Sequence, residues 1–206
     1  SRVEIAPVKN LVLGRAATAL PHDRYQLSPL GQWAADALRT AAGADIAFQN
    51  GGGLRTGLAA GTITLGDLYA VMPFDNTLYT VEMTGGEIAA ALEYGIANPK
   101  FGMLQFSGLR VAYDPAAPAG RRLVSVTLAD GSQLAADRTY AVAVNDFLVA
   151  GGDGFTMIKA ARRHTDTYRP LREVLAEAVQ KAGIIRFAGD DRLQQVVAPA
   201  ARPQAA

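Results

Sequence analysis

The chain contains no cysteine, which excludes disulfides, thiolate metal sites and cysteine nucleophiles, although it leaves the compartment open. Histidine is scarce. His22 and His164 lie far apart and outside any ligand-spaced pattern such as HExxH, so a hydrolytic metal centre built from this chain alone is not expected. No apolar run reaches the roughly 18 residues of a membrane span. Charge is balanced, with Lys plus Arg at 20 and Asp plus Glu at 19, so nothing suggests a nucleic-acid polymer as partner, which usually needs a strongly basic face. What remains is ordinary globular composition: 206 residues, 50% hydrophobic and 19% charged, enough for one domain with its own core. The opening Ser1-Arg2-Val3-Glu4 lacks the pattern of a signal peptide and is expected to be a cut end within a longer protein.

Periodicity and punctuation place the elements. Residues 2–20 read as extended, with Val3, Ile5, Val8, Leu11 and Leu13 at near-alternate positions. Ser28 and Pro29 are a strong helix start. Leu30, Trp33, Ala34, Ala37, Leu38 and Ala41 form one apolar stripe, and Gly43 is the stop. Asp45 to Phe48 is a strand candidate. Thr64 with Asp67 predicts a short helix ending at Pro73, and residues 76–83 alternate as a strand. Thr84 with Glu87 predicts a helix whose inner face is Ile88, Ala91, Leu92 and Ile96. Strands follow at 109–114, at 123–128 before the Asp130-Gly131 turn, and at 140–144. Residues 145–155 read as a loop, and a last helix covers about 169–182. Without a regular βαβ rhythm, this mixture predicts an α+β domain.

Four stretches could carry chemistry. In Asn50-Gly51-Gly52-Gly53-Leu54-Arg55, the glycines would let backbone N–H groups approach a ligand, and Arg55 could pair with phosphate oxygens. A plain turn with a surface arginine fits the spacing equally well. In Phe147 to Phe155, Asp153 stands between glycines and could accept hydrogen bonds from two vicinal hydroxyls. An Asx-type turn is the simpler account. Phe74, in Met72-Pro73-Phe74-Asp75-Asn76, would plug a core edge if alone, but with Phe147 it suggests a clamp for a flat ring. Arg24, in His22-Asp23-Arg24-Tyr25, could join Arg55 or remain a solvated surface charge.

Taken together these stretches resemble one family. Ser28-Pro29-Leu30-Gly31 with Ala35-Asp36-Ala37 resembles its S-P-L-G-N-L-I-A-D-A, and Gln49-Asn50-Gly51-Gly52-Gly53-Leu54-Arg55 resembles Q-N-G-G-G-I-R. Gly61-Thr62-Ile63-Thr64 through Met72-Pro73-Phe74-Asp75-Asn76 resembles G-x-I-T followed by L-P-F-G-N, and Thr84-Gly85-Gly86-Glu87-Ile88 resembles T-G-x-E-I. Asn145-Asp146-Phe147 through Gly151-Gly152-Asp153-Gly154-Phe155 resembles N-D-F-L-A-x-G-G-D-G-[YF]. The motifs stand in order from about residue 10 to 187. They are similar to the C-terminal domain of 5'-nucleotidases, a family that includes periplasmic UDP-sugar hydrolases.

The resemblance implies a layered α/β/β/α version of the α+β class. It also implies that Phe74 and Phe147 sandwich a base, Asp153 holds ribose hydroxyls and Asn50 contacts the base. Gly52 and Gly53 would permit close approach, while Arg55 and Arg24 bind phosphate. Asp75 replaces the usual glycine and would repel a phosphate if it faced one. No cofactor is implied for this domain. A divalent metal pair, such as Zn or Mn, and the catalytic residues are expected on an N-terminal metallophosphatase domain in cis. The family's domain rotation places residues 1–10 near a hinge or linker, 11–190 as the substrate-binding domain, and 191–206 as a low-complexity tail. Residues 198–206 are expected to be frayed. A periplasmic or secreted location is implied. A stand-alone nucleoside-binding module, or a structural or dimerising domain, is the alternative.

Overall fold

The computed structural model describes residues 8–196, so residues 1–7 of the expected hinge and the segment expected to fray lie outside the described residues. The chain runs β1 (Val12–Ala16), α1 (Pro29–Ala42), β2 (Ile46–Asn50), β3 (Gly61–Thr64), α2 (Leu65–Val71), β4 (Thr77–Thr84) and α3 (Gly85–Gly95). It continues through β5 (Leu104–Ser107), β6 (Leu109–Tyr113), β7 (Leu123–Leu128), β8 (Thr139–Asn145), α4 (Asp146–Val149) and α5 (Thr156–Lys159). It ends with β9 (Arg162–Pro170), α6 (Leu171–Ala182), β10 (Ile184–Ile185) and β11 (Leu193–Gln195).

Local chemistry sets the helix ends. Ser28 Oγ accepts from the Gly31 N–H at 3.0 Å to start α1, and Gly43 closes it at φ 59°. Thr64 with Asp67 and Thr84 with Glu87 form reciprocal capping boxes at the starts of α2 and α3. Within the described part of the segment read as extended, residues 8–11 form a turn instead, in which the Leu11 N–H donates to the Val8 carbonyl.

The centre is a five-stranded sheet, ordered β5-β2-β8-β4-β9. Side chains alternate across it. Ile46, Phe48, Val81, Met83, Val142 and Val144 face one core, with α3, α5 and the small sheet β11-β6-β7. Ala47, Leu78 and Ala143 face a second core, with α1, α6 and the small sheet β10-β1-β3. Alanines at 47 and 143 leave room for α1 against the sheet. Burial on both faces accounts for the near-continuous apolar character of β2 and β8. The class is α+β, as read from the sequence.

Five strands went unread: β3, β5, β9, β10 and β11. β5 is entirely buried and includes Gln105, and β9 (Arg162–Pro170) has no apolar alternation. The tail expected from residue 191 starts too early. β11 pairs in parallel with β6, and the Arg192 guanidinium is buried, held by Asp36 at 2.8 Å, Asp190 at 2.7 Å and the Phe106 carbonyl at 3.0 Å.

The strand directions position the candidate site. β2 and β8 are parallel neighbours, with Ile46 opposite Val142, so Asn50 and Asn145 end on the same side of the sheet. β4 is antiparallel to β8, with Leu78 opposite Asn145, so residues 74–76, just before β4, arrive at that side too. Three motifs distant in sequence are brought to one edge by register alone.

Candidate functional site

At this edge lies a cavity of about 370 Å³ lined by Arg24, Asn50, Gly52, Gly53, Phe74, Asn76, Phe147 and Asp153. Seven of the eight residues singled out from the sequence line it. Arg55 is the eighth: it stands at the margin, its Nη1 3.4 Å from the Gly52 carbonyl and its guanidinium carbon 5.9 Å from the Phe74 ring centroid. Phe74 and Phe147 are 46% and 40% exposed, so neither ring serves as core packing.

The turns carrying the rings are braced. Residues 146–149, read as loop, form a single helical turn whose cap is Asn145, with Oδ1 accepting from the Leu148 N–H at 2.8 Å. Phe147 lies on that turn, and a Cβ at Gly152 would stand 2.5 Å from its ring, so glycine is required there for the ring to lie flat on the backbone. Asn76, missed from the sequence, both lines the cavity and donates to Asp146. Its polar side chain two residues after Phe74 was the available signal.

A buried amide network orients Asn50. Asn145 Nδ2 donates to Asn50 Oδ1 at 2.8 Å and to Gln49 Oε1 at 3.2 Å, while Gln49 Nε2 donates to the Asn50 carbonyl at 3.1 Å. With its oxygen engaged, the Asn50 amide keeps its Nδ2 as the group to offer a ligand. Residues 26–28 are pinned by another buried amide: Gln105 Nε2 donates to the Gln26 carbonyl, and Gln105 Oε1 accepts from the Ser28 N–H. A Cβ at position 31 would overlap Gln105 Oε1, which explains the glycine of the Ser28-Pro29-Leu30-Gly31 stretch.

Arg24 is fixed through both backbone and side chain. Its carbonyl accepts from the Met103 N–H at 2.8 Å, and its Nε donates to the Phe101 carbonyl at 3.1 Å. Six arginines, at 110, 162, 163, 169, 172 and 192, pair with carboxylates, and Arg24 and Arg55 are among the other described arginines, which pair with none. Burial, with smaller effects from Arg55 and Arg24, lowers the His22 pKa against the pull of Asp23. The imidazole is therefore neutral near pH 7 and leaves the cavity's positive charge to the guanidinia. Burial raises the Asp153 pKa, and the Arg24 charge opposes the rise. Asp75, flagged as a possible repeller, is 93% exposed, pairs with Arg172 at 2.9 Å and does not line the cavity.

Chemically, the cavity offers two exposed rings, a carboxylate, a free amide donor and one cation, Arg24, with a second, Arg55, at its margin. No group of three His, Cys, Asp or Glu side chains among the described residues could hold a metal ion.

Comparisons with known proteins bear on this arrangement. Residues 4–160 match the family described as 5'-nucleotidase, C-terminal domain. The chain is 37% identical over 195 residues to the trifunctional nucleotide phosphoesterase protein YfkN of Bacillus subtilis (strain 168), covering 87% of this chain and 13% of that one. It is 42% identical over 147 residues to the cell wall protein Lmo0130 of Listeria monocytogenes, covering 65% of this chain and 19% of that one. The crystal structure of a 5'-nucleotidase precursor from Thermus thermophilus superposes with a TM-score of 0.87 at 34% identity, covering 95% of this chain and 41% of that one. The chain thus spans less than half of each.

Proposed function

The chain belongs to the family of 5'-nucleotidase C-terminal domains, and on that premise we propose that it is the nucleotide-binding and specificity domain of a phosphohydrolase whose chemistry is carried out elsewhere on the polypeptide. Phe74 and Phe147 stack on the base from two sides, which contributes about 1–3 kcal/mol per base and tolerates different bases. Asp153 accepts hydrogen bonds from the two ribose hydroxyls, and Asn50 donates its free Nδ2 to the base. Gly52 and Gly53 keep the wall thin, and Arg24 and Arg55 take the phosphate at the mouth. Binding in this way orients the phosphate outward, which converts recognition into positioning.

The observation that carries this proposal is the convergence of two exposed phenylalanines on one cavity with an arginine that has no carboxylate partner and a carboxylate. The hydrolytic step is assigned to a divalent metal pair, such as Zn or Mn, on an N-terminal domain in cis. The residues described here do not fit such a pair. There the metals would polarise the phosphate and activate a water. A periplasmic or secreted setting is supported by the cell wall relative.

Calorimetric titration of the chain with adenosine and AMP tests the proposal. Binding of both, with AMP the tighter, is the expected result. An intact fold with no heat from either would assign the domain a structural or dimerising role instead.

A further inference from the structure

Asp153 holds a left-handed backbone conformation in a loop otherwise made of glycine. Gly151, Asp153 and Gly154 all adopt positive φ, at 85°, 55° and 81°, and only Asp153 among them carries a Cβ. Glycine adopts such angles freely and aspartate tolerates them better than most residues, so an outside contact can select this conformation from the others the glycines allow.

The outside contact comes from α3, in the layer packed beneath the loop. Tyr94 donates its hydroxyl to the Asp153 backbone carbonyl at 2.6 Å. Its ring stands edge-on to Phe155, with centroids 4.9 Å apart and planes at 86°, which fixes where the hydroxyl can reach. Gly154 makes the approach possible, because a Cβ there would overlap the Tyr94 oxygen. Tyr94 does not line the cavity itself.

We propose that Tyr94 is a positioning residue for recognition of vicinal diols: its hydroxyl clamps the main chain of Asp153 so that the carboxylate faces the cavity. The effect reaches the ligand through Asp153 alone. It therefore discriminates between nucleosides that carry both ribose hydroxyls and those that lack them. Phe147 rests on Gly152 of the same loop but is carried by its own helical turn, capped by Asn145, so its stacking is expected to change little. This inference rests on the nucleoside-binding function proposed above.

The test is calorimetric titration of the unsubstituted chain, Tyr94→Phe, Asp153→Asn and the double variant with adenosine and with 2',3'-dideoxyadenosine, alongside thermal melting. Tyr94→Phe keeps the ring against Phe155 and removes only the hydroxyl. It is expected to weaken adenosine binding about tenfold and to leave dideoxyadenosine within about twofold. In the Asp153→Asn background the same change is expected to add no further loss, since the carboxylate it positions is already gone. Equal losses for both ligands, no loss for adenosine, or additive losses in the double variant would each overturn the inference. An unsubstituted chain that binds both ligands equally would overturn diol recognition by Asp153 and leave the base clamp standing. One that binds neither would overturn the nucleoside assignment as a whole.

Discussion

Asn76 donates its side-chain amide to Asp146 at 2.8 Å, and the same carboxylate oxygen accepts from the Thr77 backbone N–H at 3.2 Å. Asp146 immediately precedes Phe147, and Asn76 follows Phe74 by two residues. A single carboxylate therefore ties together the two turns that carry the exposed rings. Asp146→Ala is expected to weaken adenosine binding about tenfold and to lower stability by about 1–3 kcal/mol, because the Thr77 N–H loses its acceptor. Titration and denaturant unfolding of the same variant check both effects. Unchanged affinity would mean that the rings keep their places without the tie.

Phe147→Ala separates clamp from core. With 40% of the residue exposed, the ring contributes little to the fold, and the melting temperature is expected to stay within about 4 °C of the parent. Adenosine binding is expected to weaken by about 1–3 kcal/mol. A collapse of the thermal transition would mark Phe147 as core packing.

Asp153→Asn is expected to lose adenosine affinity without loss of stability. Burial raises the Asp153 pKa, so its ionised form is less favourable in the folded chain than in the unfolded one. At neutral pH the charge therefore costs stability, and the cost fades as pH falls through the raised folded value. Asparagine removes the charge and tolerates the positive φ of 55° at this position. Adenosine affinity of the parent should fall as pH drops through the same value, while the Asn variant should show no such dependence. Titrations across acidic pH check the difference.

Arg55→Ala is expected to weaken AMP about tenfold or more and to leave adenosine nearly unchanged, since the guanidinium stands at the margin of the cavity. Raising ionic strength should weaken AMP binding by the parent more than by the variant, because the exposed pair is screened. Equal losses for AMP and adenosine would place Arg55 on the nucleoside instead.

Arg192→Met tests whether the C-terminal segment belongs to the fold. Removal strands Asp36 and Asp190. The cost is expected toward the lower end of about 3–5 kcal/mol, because both carboxylates keep some solvent. Hydrogen bonding from Arg192 is the main reason the Asp190 pKa lies below the ordinary carboxylate value. The parent therefore has this contribution in full above about pH 4 and loses it as pH falls through the depressed folded value. Chemical denaturation at pH 7 and in the acid range should show the variant less acid-sensitive than the parent. A variant as stable as the parent would return residues 191–196 to the status of a tail.

The helix starts at Ser28, Thr64 and Thr84 were legible because a cap involves residues three apart, and the alternation in β8 because one face of the sheet needs small residues at regular steps. β9 was not legible. Its residues, RRHTDTYRP, show no apolar period, and it is held as a strand by main-chain pairing with β4, with Arg163 and Tyr168 at positive φ. The polar Gln105 in β5 hid a buried strand in the same way, since its amide is satisfied by Gln26 and Ser28, 79 and 77 residues away, together with the nearby Met103 carbonyl.

The sequence by itself determined the longer helices, several strands of the central sheet, the family and the residue types of the candidate site, because capping, periodicity and turn chemistry act between near neighbours along the chain. The tertiary structure alone decided that seven of those residues share one cavity, that Asp75 turns away to Arg172, and that Tyr94 and Asp146 stand behind the site. These depend on the register of β2, β8 and β4, and register is set by packing between segments distant in sequence, which no local pattern encodes.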